Sequence, residues 1–302
     1  MIAGCHVCKA ELEAGSRKRG AVQSSRLMDL ISSRQNAIVK RFRQLAAGDP
    51  TGESMLLDGE HLVREALASG LRIELAAFVE RLANGPMAEM VDALERSGAR
   101  VVAVTDQVLA VVSPVRQPSG VVAIANRPSA TLDQVLHTRQ SLVLILGDVQ
   151  DPGNVGAIVR AAEGCGATGV VITTGVADPF SWKALRGGMG STFRLPIASG
   201  QSLDAAVSSA RAAGLRVIAT TARGGTLLPA CNLRPGCAIL LGGEGSGLSA
   251  TIVEAADERV TIPMQPPVES LNVAIAAALV LYEAARQRAT AVPVERSSNV
   301  AL

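Results

Sequence analysis

The chain has 302 residues with 29 Lys and Arg against 27 Asp and Glu, so its net charge of +2 selects no class of partner. Hydrophobic residues make up 48% and charged residues 19%, which excludes global disorder. Aromatics are only 2% (Phe42, Phe78, Phe180, Trp182, Phe193 and Tyr282), which argues against an RNA surface built on rows of stacking rings.

Residues 1–27 read as a basic, flexible extension, and Met28 as the start of a compact pattern. Cys5-His-Val-Cys8 is half of a zinc pattern without its second half, so no metal is expected. The amino terminus lacks the pattern of a secretory signal, so the expected location is cytoplasmic. Ser32 and Ser33 are candidate caps for a helix reaching about Ala47 that carries Lys40, Arg41 and Arg43, with Arg34 just ahead of it. Up to residue 43 there are nine basic and three acidic residues, a local balance of +6. That asymmetry points to a polyanion, although a solvated helix face shows the same pattern.

Next come a strand at 54–57, a helix at 60–68, a strand at 73–79, a helix at 87–96, a strand at 100–104, a short helix at 106–112 and a strand at 121–125. This alternation predicts a small α/β domain over 28–128, with Asn126-Arg127-Pro128-Ser129 as a linker. A second α/β domain is expected over 137–291, followed by a tail at 292–302. Its strands, at 142–146, 170–173, 216–220, 238–241 and 259–262, are continuous apolar runs, as in a parallel sheet covered on both faces. Helices are expected at 155–163, 182–188, 202–213 and 271–287. The longest apolar run, Val273 to Tyr282, is half the ~20 residues of a bilayer span.

Three polar segments follow strands of the second domain, where open α/β sheets bind ligands. In Asp148-Val-Gln-Asp-Pro-Gly-Asn154-Val-Gly-Ala-Ile-Val-Arg160, Asn154 is a candidate helix cap, and a capped surface helix accounts for the pattern equally well. In Leu241-Gly-Gly-Glu244-Gly-Ser-Gly-Leu248, the glycines fail the G-x-G-x-x-G spacing, lack a P-loop lysine, and do not make a G-x-S-x-G elbow. In Ile262-Pro-Met-Gln-Pro-Pro-Val-Glu-Ser270-Leu-Asn272, prolines 263, 266 and 267 keep the chain extended until Ser270, where a helix begins and which simple capping would explain.

Taken together, with Trp182-Lys-Ala-Leu-Arg186-Gly-Gly-Met-Gly-Ser191-Thr-Phe-Arg-Leu-Pro196 between them, the segments resemble the three motifs of the SpoU–TrmH family of ribose 2′-O-methyltransferases, in the SPOUT superfamily. The resemblance runs from about Ser141 to Arg288, and residues 28–125 look like the family's L30e-type RNA substrate-binding domain. It implies a parallel sheet with a deep trefoil knot, a rare exception to normal chain topology. It implies S-adenosylmethionine as cofactor, held by Thr220, Leu241, Gly242, Ile262, Met264 and Leu271. It further implies a homodimer in which motif residues from both subunits complete one site. Asn154, Arg160, Glu244, Ser270 and Asn272 would form the catalytic set, with Asn154 and Glu244 orienting Arg160. Arg34, Lys40, Arg41 and Arg43 would contact RNA, of the 23S ribosomal type, with transfer RNA or a catalytically inactive RNA binder as alternatives. A nucleotide-dependent oxidoreductase is disfavoured by the failed fingerprint.

Overall fold

The computed structural model describes residues 28–49, 51–245 and 247–289. The 1–27 extension, its Cys5 and Cys8, and the 292–302 tail lie outside these residues. The amino-terminal half runs β1 (Leu30–Ile31), α1 (Ala37–Ala47), β2 (Ser54–Asp58), α2 (Glu60–Ala68), β3 (Ile73–Val79), α3 (Glu80–Ala83), α4 (Ala88–Arg96), β4 (Arg100–Val104), α5 (Asp106–Val112) and β5 (Val121–Asn126). Its five strands lie in the order β1-β4-β3-β5-β2, with β5 antiparallel to β2 and β3. Helix α1 is capped by Asn36, whose Oδ1 accepts the Ile38 amide at 2.8 Å, and not by the expected Ser32 or Ser33. Asn36 has the same short acceptor as those serines and stands directly ahead of the first helical residue.

The expected linker at 126–129 is anchored. Asn126 closes β5, and Arg127 donates from Nε to the Ser54 carbonyl at 2.7 Å and pairs with Asp178 at 3.0 Å. The chain then enters α6 (Leu132–Val135), closed by a capping box between Thr131 and Gln134. Its four residues are too few for sequence periodicity to reveal.

The carboxy-terminal half continues with β6 (Leu142–Leu146), α7 (Pro152–Gly164), β7 (Gly169–Thr173), α8 (Trp182–Gly188), α9 (Ser191–Arg194), β8 (Ile197–Gln201), α10 (Leu203–Ala212), β9 (Arg216–Thr221), β10 (Thr226–Leu227), β11 (Cys237–Leu241), α11 (Ala250–Ala255), β12 (Glu258–Thr261) and α12 (Val273–Ala289). The seven strands are all parallel, in the order β10-β12-β9-β11-β6-β7-β8. From β6 the chain steps outward to β8, crosses to β9, and returns to insert β11 between β9 and β6. Strands β6, β7 and β11 are wholly buried, which explains their uninterrupted apolar runs.

The two halves share one apolar cluster, running from Leu57 and Leu62 to Leu144 and Leu185. Buried Asp58, at the end of β2, accepts a hydrogen bond from Ser113 at 2.5 Å and faces Arg186 of the second half. Burial pushes its carboxyl above the ordinary value, against the pull of Ser113 and Arg186. No described helix is long and apolar enough to cross a membrane.

Candidate active site

The carboxyl ends of β9 and β11 and the chain after β12 surround a cavity of about 550 Å³, within the range of small-molecule sites. Its walls include Thr220, Leu241, Gly242, Ile262, Met264 and Leu271, all six residues expected to hold a cofactor. Glu244, Ser270 and Asn272 also line it. Thr220 Oγ1 donates to the Leu240 carbonyl at 2.8 Å, so this hydroxyl is already satisfied within the sheet.

The glycines of the second segment have a steric reason. The loop after β11 doubles back, with the Gly247 amide donating to the Gly243 carbonyl at 3.2 Å. A Cβ on Gly242 would fall inside contact distance of the Gly247 and Leu248 backbone. The loop therefore presents bare backbone to the cavity while Leu241, Ile262, Met264 and Leu271 form apolar walls.

The polar end of the cavity is organised by Asn154. Helix α7 starts three residues earlier than its apolar pattern suggests, and its cap is Asp151, whose Oδ1 accepts the Gly153 amide at 2.6 Å. Asn154 therefore lies inside the first turn instead of capping it, which frees its amide for tertiary contacts. Its Nδ2 donates to Glu244, and its Oδ1 accepts from Asn272 Nδ2 at 3.2 Å. Asn272 in turn caps α12, accepting the Ala274 and Ile275 amides at 2.9 and 3.3 Å. Simple capping would place Ser270 directly ahead of the helix, but α12 begins at Val273, so Ser270 is two residues too early and faces the cavity. One network thus ties together three segments distant in sequence.

Arg160 does not join this network. It lies on α7 six residues beyond Asn154, about 120° around a helix of 3.6 residues per turn. It is exposed, does not line the cavity, and makes no hydrogen bond or ion pair among the described residues. The expected orientation of Arg160 by Asn154 and Glu244 is therefore absent within one chain.

Of the candidate RNA contacts, Arg34, Lys40 and Arg43 are exposed on and before α1, and Arg41 pairs with Glu74. Among the described residues there is no cluster of three or more His, Cys, Asp or Glu suited to a metal ion. Thr221, Ala222, Leu248 and Ala276 also line the cavity and were not singled out from sequence. Thr221 and Ala222 at the end of β9, Ala276 in the first turn of α12 and the leucine closing the glycine loop carry no distinctive chemistry that would mark them.

Comparison with known proteins gives a consistent picture. Residues 141–282 match the SpoU rRNA Methylase family, and residues 36–123 match the MRM3-like substrate binding domain. An uncharacterized tRNA/rRNA methyltransferase of Synechocystis is 36% identical, with 85% of this chain and 94% of the relative aligned. The 23S rRNA (guanosine(2553)-2'-O)-methyltransferase RlmP of Bacillus subtilis is 30% identical, over 84% of this chain and 98% of its own. The crystal structure of an AdoMet-bound rRNA methyltransferase from Sinorhizobium meliloti superposes with a TM-score of 0.77 at 29% identity, over 85% of this chain and 97% of that one.

Proposed function

The chain belongs to the SpoU rRNA methylase family and is an S-adenosylmethionine-dependent RNA 2′-O-methyltransferase; from that premise we propose that it methylates large-subunit ribosomal RNA in the cytoplasm, as a homodimer. The observation that carries this reading is the cavity at the carboxyl ends of β9 and β11, with the Asn154–Glu244–Asn272 network at its polar end. The residues present fit the cofactor: bare backbone at Gly242, Gly243 and Gly245 can read the edges of an adenine, and Ile262, Met264 and Leu271 supply an apolar slot.

When bound, S-adenosylmethionine supplies an electrophilic methyl on a sulfonium that leaves without needing a proton. This chain must align the attacking hydroxyl and deal with its proton. Alignment contributes up to about 7–11 kcal/mol, so positioning outweighs acid–base work. Guanidinium groups keep their protons in proteins. Arg160 therefore holds the RNA phosphate and polarises the 2′-hydroxyl, and a phosphate oxygen or water takes the proton. Ser270 and Asn272 hold the ribose or the loop beside it. Residues 28–128 dock the RNA, through Arg34, Lys40 and Arg43 with Arg41 beside them, and residues 137–291 carry the chemistry.

The homodimer explains why Arg160 stands apart. Ile275, Leu279 and Tyr282, spaced four and three residues apart on α12, leave an apolar stripe 54%, 41% and 64% exposed. Helix α12 packs against α7, which carries Arg160. A second copy covering this stripe delivers Arg160 to its partner's cavity.

Arg160→Lys should lower turnover by about a hundredfold or more while S-adenosylhomocysteine affinity, measured by calorimetry, stays unchanged. Wild-type turnover in that variant would refute the role. Mapping resistance to alkaline cleavage in RNA from cells with and without the protein identifies the modified nucleotide. Modification confined to transfer RNA would overturn the ribosomal reading.

A further inference from the structure

Arg160 has one acidic neighbour on its own helix. Glu163 follows it by three residues, a spacing at which side chains meet, and it is the sole acid in α7. Left to itself, this carboxylate would pair with the Arg160 guanidinium and withdraw it from RNA. It is held elsewhere. Arg194, at the end of α9, donates from Nε to Glu163 Oε1 at 2.6 Å and from Nη2 to Oε2 at 2.9 Å. This is a two-pronged pair, the strong geometry for a guanidinium and a carboxylate. The third nitrogen of Arg194 donates to Glu65 on α2 of the other half, so the fork is fixed from two sides. The hydrogen bonds from Arg194 hold the Glu163 carboxyl below its ordinary range, so it stays charged.

We propose that Arg194 is a positioning residue for methyl transfer: by occupying both oxygens of Glu163, it prevents an ion pair between Glu163 and Arg160 and keeps the Arg160 guanidinium available to the RNA. The inference rests on the role assigned above to Arg160. It separates two consequences of one side chain. The contact with Glu65 joins the halves of the molecule, and the contact with Glu163 protects the reactive arginine.

The following variants distinguish these roles, read by single-turnover methylation of RNA, S-adenosylhomocysteine binding and thermal melting. In Arg194→Ala the freed Glu163 should capture Arg160, and turnover should fall about twofold with cofactor affinity unchanged. Glu163→Gln added to Arg194→Ala removes the competing charge, and turnover should return to near the wild-type value although Arg194 is still missing. Glu65→Gln, which leaves the Glu163 pair in place, should turn over like wild type. Should Arg194→Ala not fold, Arg194→Met keeps the apolar stem and carries the same comparison. Full activity in Arg194→Ala overturns the proposal, as does a loss that Glu163→Gln fails to repair. Arg160→Lys is measured alongside. If it retains wild-type turnover, the role of Arg160 itself fails; if it is inactive and the repair is absent, only the inference about Arg194 fails.

Discussion

Asn154 shows how one amide can do the work of a scaffold. It donates to Glu244 and accepts from Asn272, so the beginning of α7, the glycine loop and the cap of α12 are held in mutual register. Alanine removes both bonds and leaves a carboxylate without its donor. Losing a hydrogen bond to a charged group costs about 1.5–3 kcal/mol. Asn154→Ala should therefore reduce turnover by at least about tenfold and lower the melting temperature by a few degrees. An unchanged rate in a steady-state assay would remove Asn154 from the machinery. The residue types of the site were visible in the sequence, since Asn154, Glu244 and Asn272 stand in the three polar segments. Their bonding was not, because it depends on Asp151 taking the cap of α7 and Asn272 the cap of α12. Cap assignment among nearby short polar residues turns on a shift of two or three positions, which spacing alone does not fix.

At the scale of elements, α7 and α8 pack backbone to backbone. A Cβ on Gly156 would run into the Ala184 carbonyl and the Gly188 amide. In an isolated helix Gly156→Ala would gain up to about 1 kcal/mol. Here the clash should dominate, and we expect a net destabilisation of about 1–3 kcal/mol by urea denaturation. Stabilisation would mean that α7 and α8 can separate at little cost. Buried strands such as β3, β4 and β6 were legible to the residue, because their apolar runs end at turn residues. Strand β8 was missed: Ile-Ala-Ser-Gly-Gln sits at the sheet edge, and its Ser199 and Gly200 are exposed, so no burial pattern is written into it. Strands β1 and β10 have two residues each, too short to carry a period.

For the whole molecule, the assembly is the part that sequence periodicity could not give. An exposed triplet on α12 differs from a core helix only in what covers it, and a chain read alone has no second copy in view. If Arg160 acts in the partner's site, two inactive variants should complement each other. Arg160→Lys mixed with Glu244→Gln, after co-expression, should recover up to about a quarter of wild-type turnover, because half of the dimers then hold one intact site of two. No recovery, with dimers confirmed by light scattering, would place both residues in the same subunit's site.

The cavity has a further consequence in time. Its walls come from residues 220 to 280, the last third of the chain. A nascent polypeptide that has completed its first sheet, and most of its second, still has no pocket to fill. The cofactor therefore cannot help the first sheet to fold, since everything that would grip it is made after that sheet is complete.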